Sequence, residues 1–178
     1  MQGSKSKVPA QRVIGASKWS VLLLAAMLGG CGYTHQAMFP EDVGSVAVDI
    51  FANRTFYQGV EFDVTEAVIK EIELQTPYKV VPGDTADTAL HATITRVQQH
   101  RLSRRRLGGL VQEMELQIRV NFEWQDLRTG KTLRQRRGLK STGRYIPAVA
   151  TGETFKTAQH EAAQRMARQI VAVMASQW

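Results

Sequence analysis

Between Glu113 and Leu127 the chain repeats with period two. Met114, Leu116, Ile118, Val120, Phe122 and Trp124 occupy alternate positions, with Gln117, Arg119, Asn121 and Gln125 among the polar residues between them. Successive side chains of a strand point to opposite faces, so this pattern specifies a long strand, buried on one side and wet on the other. Such a strand needs partners. Arg128-Thr129-Gly130-Lys131 reads as a turn and Thr132 to Tyr145 as the returning strand. If Leu127 faces Thr132 across that turn, Glu123 faces Arg136 as a cross-strand ion pair. Upstream, Ala89 to Leu102 alternates through Leu90, Ala92, Ile94 and Val97, with an irregularity near Arg96.

The remaining segments supply the other layer. Ser45 to Phe51 is rich in β-formers and reads as a first strand with Val46, Val48 and Ile50 on one face, broken by Asn53-Arg54-Thr55. From Val60 to Thr76, Val60, Val64, Ala67, Val68 and Ile72 recur at three- and four-residue steps, which predicts an amphipathic helix. Glu61 and Asp63 suit its positive N-terminal end, and Pro77 stops it. Tyr78-Lys79-Val80-Val81 is a short strand ended by Pro82-Gly83. After Pro147 a second helix is expected over Thr154 to Ser176, with Phe155, Ala158, Ala162, Met166, Ile170, Val173 and Met174 as its apolar stripe, Thr151 as N-cap and Glu153 near its start. The order β-α-β-β-β-β-α predicts an α+β fold: a mainly antiparallel sheet of four to five strands with two helices packed on one face.

The first 30 residues stand apart. Lys5, Lys7, Arg12 and Lys18, with no acidic residue, precede the apolar run Val21 to Met27, and Leu28-Gly29-Gly30 leads to Cys31, the only cysteine. A charged n-region, a short h-region and a small-residue site describe an export signal, and the h-region is too short to span a bilayer. The ending resembles a bacterial lipobox, in which the cysteine sulfur is acylated and the chain is cut before it. The alternative is an uncleaved anchor with an incidental thiol. The expected divisions are therefore a signal over 1–30, a lipidated tether over 31–44 and one domain over 45–178. Cys31 would be the lipid-attachment residue. No aspartate follows it, and Gly32 in that place favours the outer membrane, on its periplasmic side.

Removing the signal leaves 19 Lys and Arg against 16 Asp and Glu, so the +7 of the whole chain becomes +3. Charge is polarised: residues 41–100 hold 10 acidic and 4 basic residues, residues 101–144 hold 4 acidic and 12 basic ones. Catalytic signatures are missing. His35, His91, His100 and His160 lack metal-site spacing, and there is no Gly-x-Ser-x-Gly elbow, Walker loop or His-Glu-x-x-His. A binding or assembly component is expected, not an enzyme, with no metal and no cofactor beyond the lipid on Cys31. Asn53-Arg54-Thr55 fits a glycosylation sequon, a chance match in such a protein. Glu113 and Glu115, two apart, fit a solvated strand face.

Arg101, Arg104, Arg105 and Arg106 surround an expected loop between the third and fourth strands; Arg134, Arg136, Arg137, Lys140 and Arg144 line the fifth. Guanidinium forks bind phosphate oxygens bidentately, and no acidic residue lies within five positions of Arg104 to Arg106. A solvated surface is the plainer alternative. Nucleic acid is disfavoured, because an exported chain rarely meets it and no aromatic residues interleave to stack bases.

Cys31-Gly32-Tyr33, Val46-Ala47-Val48 leading to Phe51-Ala52-Asn53-Arg54-Thr55, Glu61, and Thr65-Glu66-Ala67-Val68 resemble the lipopolysaccharide-assembly lipoprotein family, LptE. Ala86-Asp87-Thr88-Ala89-Leu90, the long strand to Asp126, the Thr129-Gly130-Lys131 turn and Glu161-Ala162 continue the resemblance. It implies a small α/β domain that plugs the outer-membrane lipopolysaccharide translocon barrel, an LptD-like partner, and helps it assemble. It also implies lipopolysaccharide binding, carried over here to Arg101, Arg104, Arg105 and Arg106. Gln117, Arg119, Asn121 and Gln125 are candidate contacts with a polar barrel lumen, although a water-facing sheet would carry the same residues. A periplasmic lipoprotein of the curli-secretion or peptidoglycan-synthase-activator type is the competing expectation.

Overall fold

The computed structural model describes residues 43–104, 111–147 and 155–176. The elements run β1 (Ser45–Val48), β2 (Ala52–Asn53), α1 (Val60–Gln75), β3 (Lys79–Val80), β4 (Thr88–Arg104), β5 (Val111–Asp126), β6 (Thr132–Tyr145) and α2 (Phe155–Ala175). The expected α+β class is present, with both helices against one sheet, and the element order departs from the expected one by the additional short strand β2. Cys31, Thr151, Glu153, Arg105, Arg106 and the whole 1–30 segment lie outside the described residues.

The sheet is mixed. Its order is β3-β1-β4-β5-β6, with β2 beside β4. The long ladders, β4 with β5 and β5 with β6, are antiparallel as expected, whereas β1 pairs parallel to both β3 and β4, and β2 parallel to β4. Helix α1 lies between β1 and β3 in the chain, and a helical crossover returns the chain in the same direction, so a parallel pair follows. The first strand, expected to run to Phe51, ends at Val48; after residues 49–51 the chain re-pairs with β4 as β2, and that pairing stops at the expected Asn53-Arg54-Thr55 break.

Burial follows the alternation. Leu116, Ile118, Val120 and Trp124 of β5 meet Leu90 and Ile94 of β4, Val64, Val68 and Ile72 of α1, and Met166, Ile170 and Met174 of α2 in one core, all fully buried. Each such side chain contributes about 1.5–3 kcal/mol by leaving water. Two expectations at β1 change: Val46 is buried, but Ile50 is 62% exposed, and Phe51 enters the core instead. Phe51 N–H donates to Thr65 Oγ1 at 3.0 Å, which turns the chain inward at that residue.

Asn53-Arg54-Thr55 is structural. The Asn53 amide donates to Tyr57 O and Glu61 Oε2, both at 2.7 Å, while its Oδ1 accepts from Thr55 N–H and Oγ1. These bonds shape the entry into α1, and the Glu61 carboxylate, held by its own N–H, by Asn53 and by Gly59, is pulled below its usual pKa against the cost of desolvation.

Candidate functional site

Two irregularities decide which side chains share the helix-free face of the sheet. At the first, the register slips between Ile94 and Arg96, and Thr95 Oγ1 donates to Arg119 O at 3.2 Å. One extra residue in β4 reverses its parity, so that Val97, not Arg96, continues the buried side after Ile94. The irregularity expected near Arg96 is this bulge. The second lies in β6, where Gly138 has φ 70°, a backbone open to glycine at low cost, and its N–H donates to Asn121 Oδ1 at 2.7 Å.

With both bulges in place, side chains fall in rows across β4, β5 and β6. His91, Glu123 and Gln135 form one row; further along come Arg96, Arg119 and Lys140; then Gln98, Gln117 and Thr142; then His100, Glu115 and Arg144. Arg96 and Lys140 are exposed and Arg119 is half-buried. Three cations thus stand directly opposite one another, a placement that sheets ordinarily avoid because like charges repel. None of the three makes an ion pair among the described residues, and Arg119 Nε is buried without a hydrogen-bond partner there. Sequence reasoning placed Arg119 on the polar face and Lys140 among the basic residues of its strand, yet missed that Arg96 joins them. The signal was the irregularity itself, whose effect on parity only the register reveals.

The expected Glu123–Arg136 ion pair is absent. Glu123 lies opposite Gln135 and accepts a hydrogen bond from Thr132 Oγ1, and Arg136 lies opposite Phe122. The slip between Trp124 and Gln125 sets this register, because the pair that closes the turn is Asp126 with Lys131, whose O accepts the Asp126 N–H at 2.9 Å, and not Leu127 with Thr132. Asp126 Oδ1 accepts the N–H groups of Arg128 and Thr129, and those bonds hold its carboxyl below the usual range despite desolvation. Other basic residues have structural work. Arg134 donates to Ser176 O beyond the C-terminus of α2, where a cation is favoured. Arg144 lies 3.6 Å from Glu113, which accounts for one of the two neighbouring glutamates.

At the far end of the β4–β5 hairpin, Arg101 is exposed, lies opposite Met114 and makes no ion pair among the described residues. Arg104 closes β4 opposite Val111. The expected loop is therefore shorter than the sequence implied, since both arginines belong to the strand. Just inside this end, Gln99 ties two elements together, donating to Tyr57 Oη at 3.2 Å and accepting from Tyr145 Oη at 2.6 Å. Burial, with Tyr57 beside it, raises the Tyr145 hydroxyl pKa. Exposed apolar side chains lie on the segments meeting here: Phe56 is fully exposed, and Leu102 and Ile146 are 44% and 47% exposed. The Arg101 cation beside bare hydrocarbon gives this end an amphiphilic character.

Among the described residues no group of His, Cys, Asp and Glu could hold a metal ion, and no helix is long and apolar enough to cross a membrane. The architecture defines a two-layer α+β domain that covers one sheet face with helices and leaves the other hydrophilic. Such a domain recurs in known structures: a candidate lipoprotein of Caulobacter crescentus (17% identity, TM-score 0.51, 73% of this chain and 87% of that one) and lipoprotein B of Nitrosomonas europaea (20%, 0.50, 75% and 84%). A hypothetical protein of Chlamydia trachomatis shares the fold at 13% identity and TM-score 0.53, over 75% of this chain and 96% of that one. No curated protein matched. Residues 43–177 match LptE, Lipopolysaccharide-assembly, and the chain belongs to that family.

Proposed function

We propose that this protein is an outer-membrane lipoprotein, held by acyl chains on Cys31, that plugs the lumen of a lipopolysaccharide translocon barrel and engages lipopolysaccharide during its passage to the outer leaflet. The observation that carries this reading is the helix-free face. Over three long strands it presents amides, hydroxyls and charges with no continuous apolar stripe, which suits the polar lumen of a large barrel. A free sheet face on an ordinary soluble domain would be equally hydrophilic, and family membership favours the lumen.

The amphiphilic hairpin end supports lipopolysaccharide binding, since a phosphorylated glycolipid offers both anions and hydrocarbon. Arg101, Arg104, Arg105 and Arg106 would meet its phosphates. The role is binding and assembly, without catalysis and without a cofactor. Affinity purification of the lipidated protein from detergent-extracted membranes tests the reading: a large outer-membrane barrel should co-purify in stoichiometric amount, and recovery of a cell-wall synthase or a homo-oligomeric ring instead would replace it with the curli-secretion or synthase-activator role.

A further inference from the structure

We infer that the open half of the β6 edge, from Leu133 to Lys140, takes a short extended segment of a partner protein as an added strand, and that this segment is acidic. Among the described residues β6 is the last strand of the sheet and pairs with β5 alone, so one side of its backbone has no strand beside it. The opposite edge, β3, has two residues and offers little to pair with.

The phase of the ladder decides which backbone groups face outward. Helix α2 closes one half of the edge: Glu161 Oε2 accepts the Arg144 N–H at 2.9 Å, Arg165 Nη1 donates to Thr142 O at 2.8 Å, and Glu161 and Arg165 bind each other. Groups bound from α2 are not turned toward β5, so the backbone of Thr142 and Arg144 points outward, and the alternation of an antiparallel strand puts that of Lys140 on the same side. At the Gly138 bulge the phase moves by one. Arg136 and Arg134 lie opposite Phe122 and Trp124, which leaves the backbone groups of Gln135 and Leu133 outward. Leu133 O accepts from the Arg134 guanidinium at 2.8 Å, as an outward carbonyl can. The outward N–H and C=O of Gln135 and Lys140 have no partner among the described residues.

The flanking charges choose the occupant. Arg136, Arg137 and Lys140 are exposed and form no ion pair among the described residues. Two copies joined edge to edge would bring these cations together, and like charges across a strand pair repel. Cations guard an edge against its own kind in this way. They favour a strand that carries carboxylates opposite them and is held by main-chain bonds, as in β-strand addition. The inference goes beyond the plug reading, in which side chains of the sheet face touch a barrel wall; here the backbone of one edge does the binding.

The test titrates the full lipidated protein in detergent with a fluorescent, end-capped peptide of alternating glutamate and valine, at low salt because exposed charges are screened. The peptide should bind at least tenfold more tightly than its lysine–valine counterpart and than its fully N-methylated form, which has no backbone donors. Hydrogen exchange over 133–140 should slow at least threefold when it is bound. Gln135→Pro removes an outward N–H at a place where an edge strand accepts proline, and should weaken the peptide at least tenfold with an unchanged thermal midpoint. Arg137→Glu, at an exposed position, should weaken it at least threefold. Equal binding of the N-methylated peptide overturns strand addition, equal binding of the lysine peptide overturns the acidic occupant, and a dimer that the peptide dissociates puts a second copy on the edge instead. The peptide and exchange measurements need no variant, so they decide the inference even where Gln135→Pro does not fold. No barrel is present in the assay, so its result is independent of the plug role.

Discussion

Asp87 and Ser45, 42 residues apart, bind each other in both directions: Asp87 Oδ2 accepts the Ser45 hydroxyl at 2.8 Å and its N–H at 3.0 Å, and Asp87 N–H donates to Ser45 Oγ at 3.0 Å. Gly44 N–H adds a further bond to the same oxygen at 3.1 Å, and Thr88 Oγ1 donates to Ser45 O at 2.9 Å. This knot registers β1 against β4 at the end of the sheet where the chain arrives from Cys31.

That geometry gives the knot a pH dependence. The Ser45 hydroxyl, then the Gly44 and Ser45 N–H groups, lower the Asp87 pKa in the folded protein against desolvation. A depressed carboxyl stabilises the fold above its unfolded pKa of about 4, and this contribution is lost as pH falls through the folded value. Thermal unfolding followed between pH 7 and pH 3 should show wild type losing more stability than Asp87→Asn; parallel curves would remove the knot from the acid response.

Helix α2 lies on β6 with no room at Gly143. A Cβ there would sit 1.9 Å from Ala158 O and 2.8 Å from its carbonyl carbon, against helix backbone that cannot rotate away. Gly143→Ala should destabilise the domain by about 1–3 kcal/mol or more in urea unfolding, as overpacking does. A loss under about 0.5 kcal/mol would mean that α2 shifts freely on the sheet.

Gln159 is a polar residue at 1% exposure on the buried stripe of α2, and its Nε2 donates to Asp63 Oδ2 on α1 at 2.6 Å. Gln159→Leu keeps the bulk and removes the donor from a charged acceptor, at a cost of about 1–3 kcal/mol. A double-mutant cycle with Asp63→Ala should show coupling of at least about 0.5 kcal/mol, and independent effects would contradict the bridge.

On the proposed acylation of Cys31, Cys31→Ala should move the protein from the membrane to the soluble fraction and abolish lipid mass on the mature N-terminus, because stable anchoring would then rest on those chains. Retention on membranes without that lipid would place the anchor elsewhere.

Replacing Arg101, Arg104, Arg105 and Arg106 with Ser should weaken lipopolysaccharide binding while changing stability by no more than about 0.5 kcal/mol per site. Equal binding by the variant would take the hairpin end out of the glycolipid site.

Much of this architecture was legible in the pattern of apolar residues. Met114 to Trp124 announced a half-buried strand because burial on one face leaves a period of two, and the stripe from Val60 to Ile72 announced α1 in the same way. Parallel pairing of β1 was not, since strands of four and two residues carry too little pattern to state their direction. Register was the other blind spot. One bulge at Thr95 and one at Gly138 leave the composition of each strand unchanged but decide that Arg96, Arg119 and Lys140 stand together, and that Glu123 meets Gln135 instead of Arg136. Gln159 escaped because a polar residue on an apolar stripe is visible only once its partner Asp63 is placed. The arginines of the hairpin end stood out through density alone, and the structure adds that Arg101 and Arg104 extend the strand.

Site-specific photo-crosslinking in living cells tests the central claim most directly. A photoreactive residue at Gln117 or Gln125, on the helix-free face, should crosslink to one large outer-membrane barrel, whereas the same residue at Glu66 or Arg168 on the outer faces of the helices should give a weaker or different set of products. Crosslinks to the barrel from the helical positions alone, with none from the sheet, would contradict the assignment of the hydrophilic face to the barrel lumen.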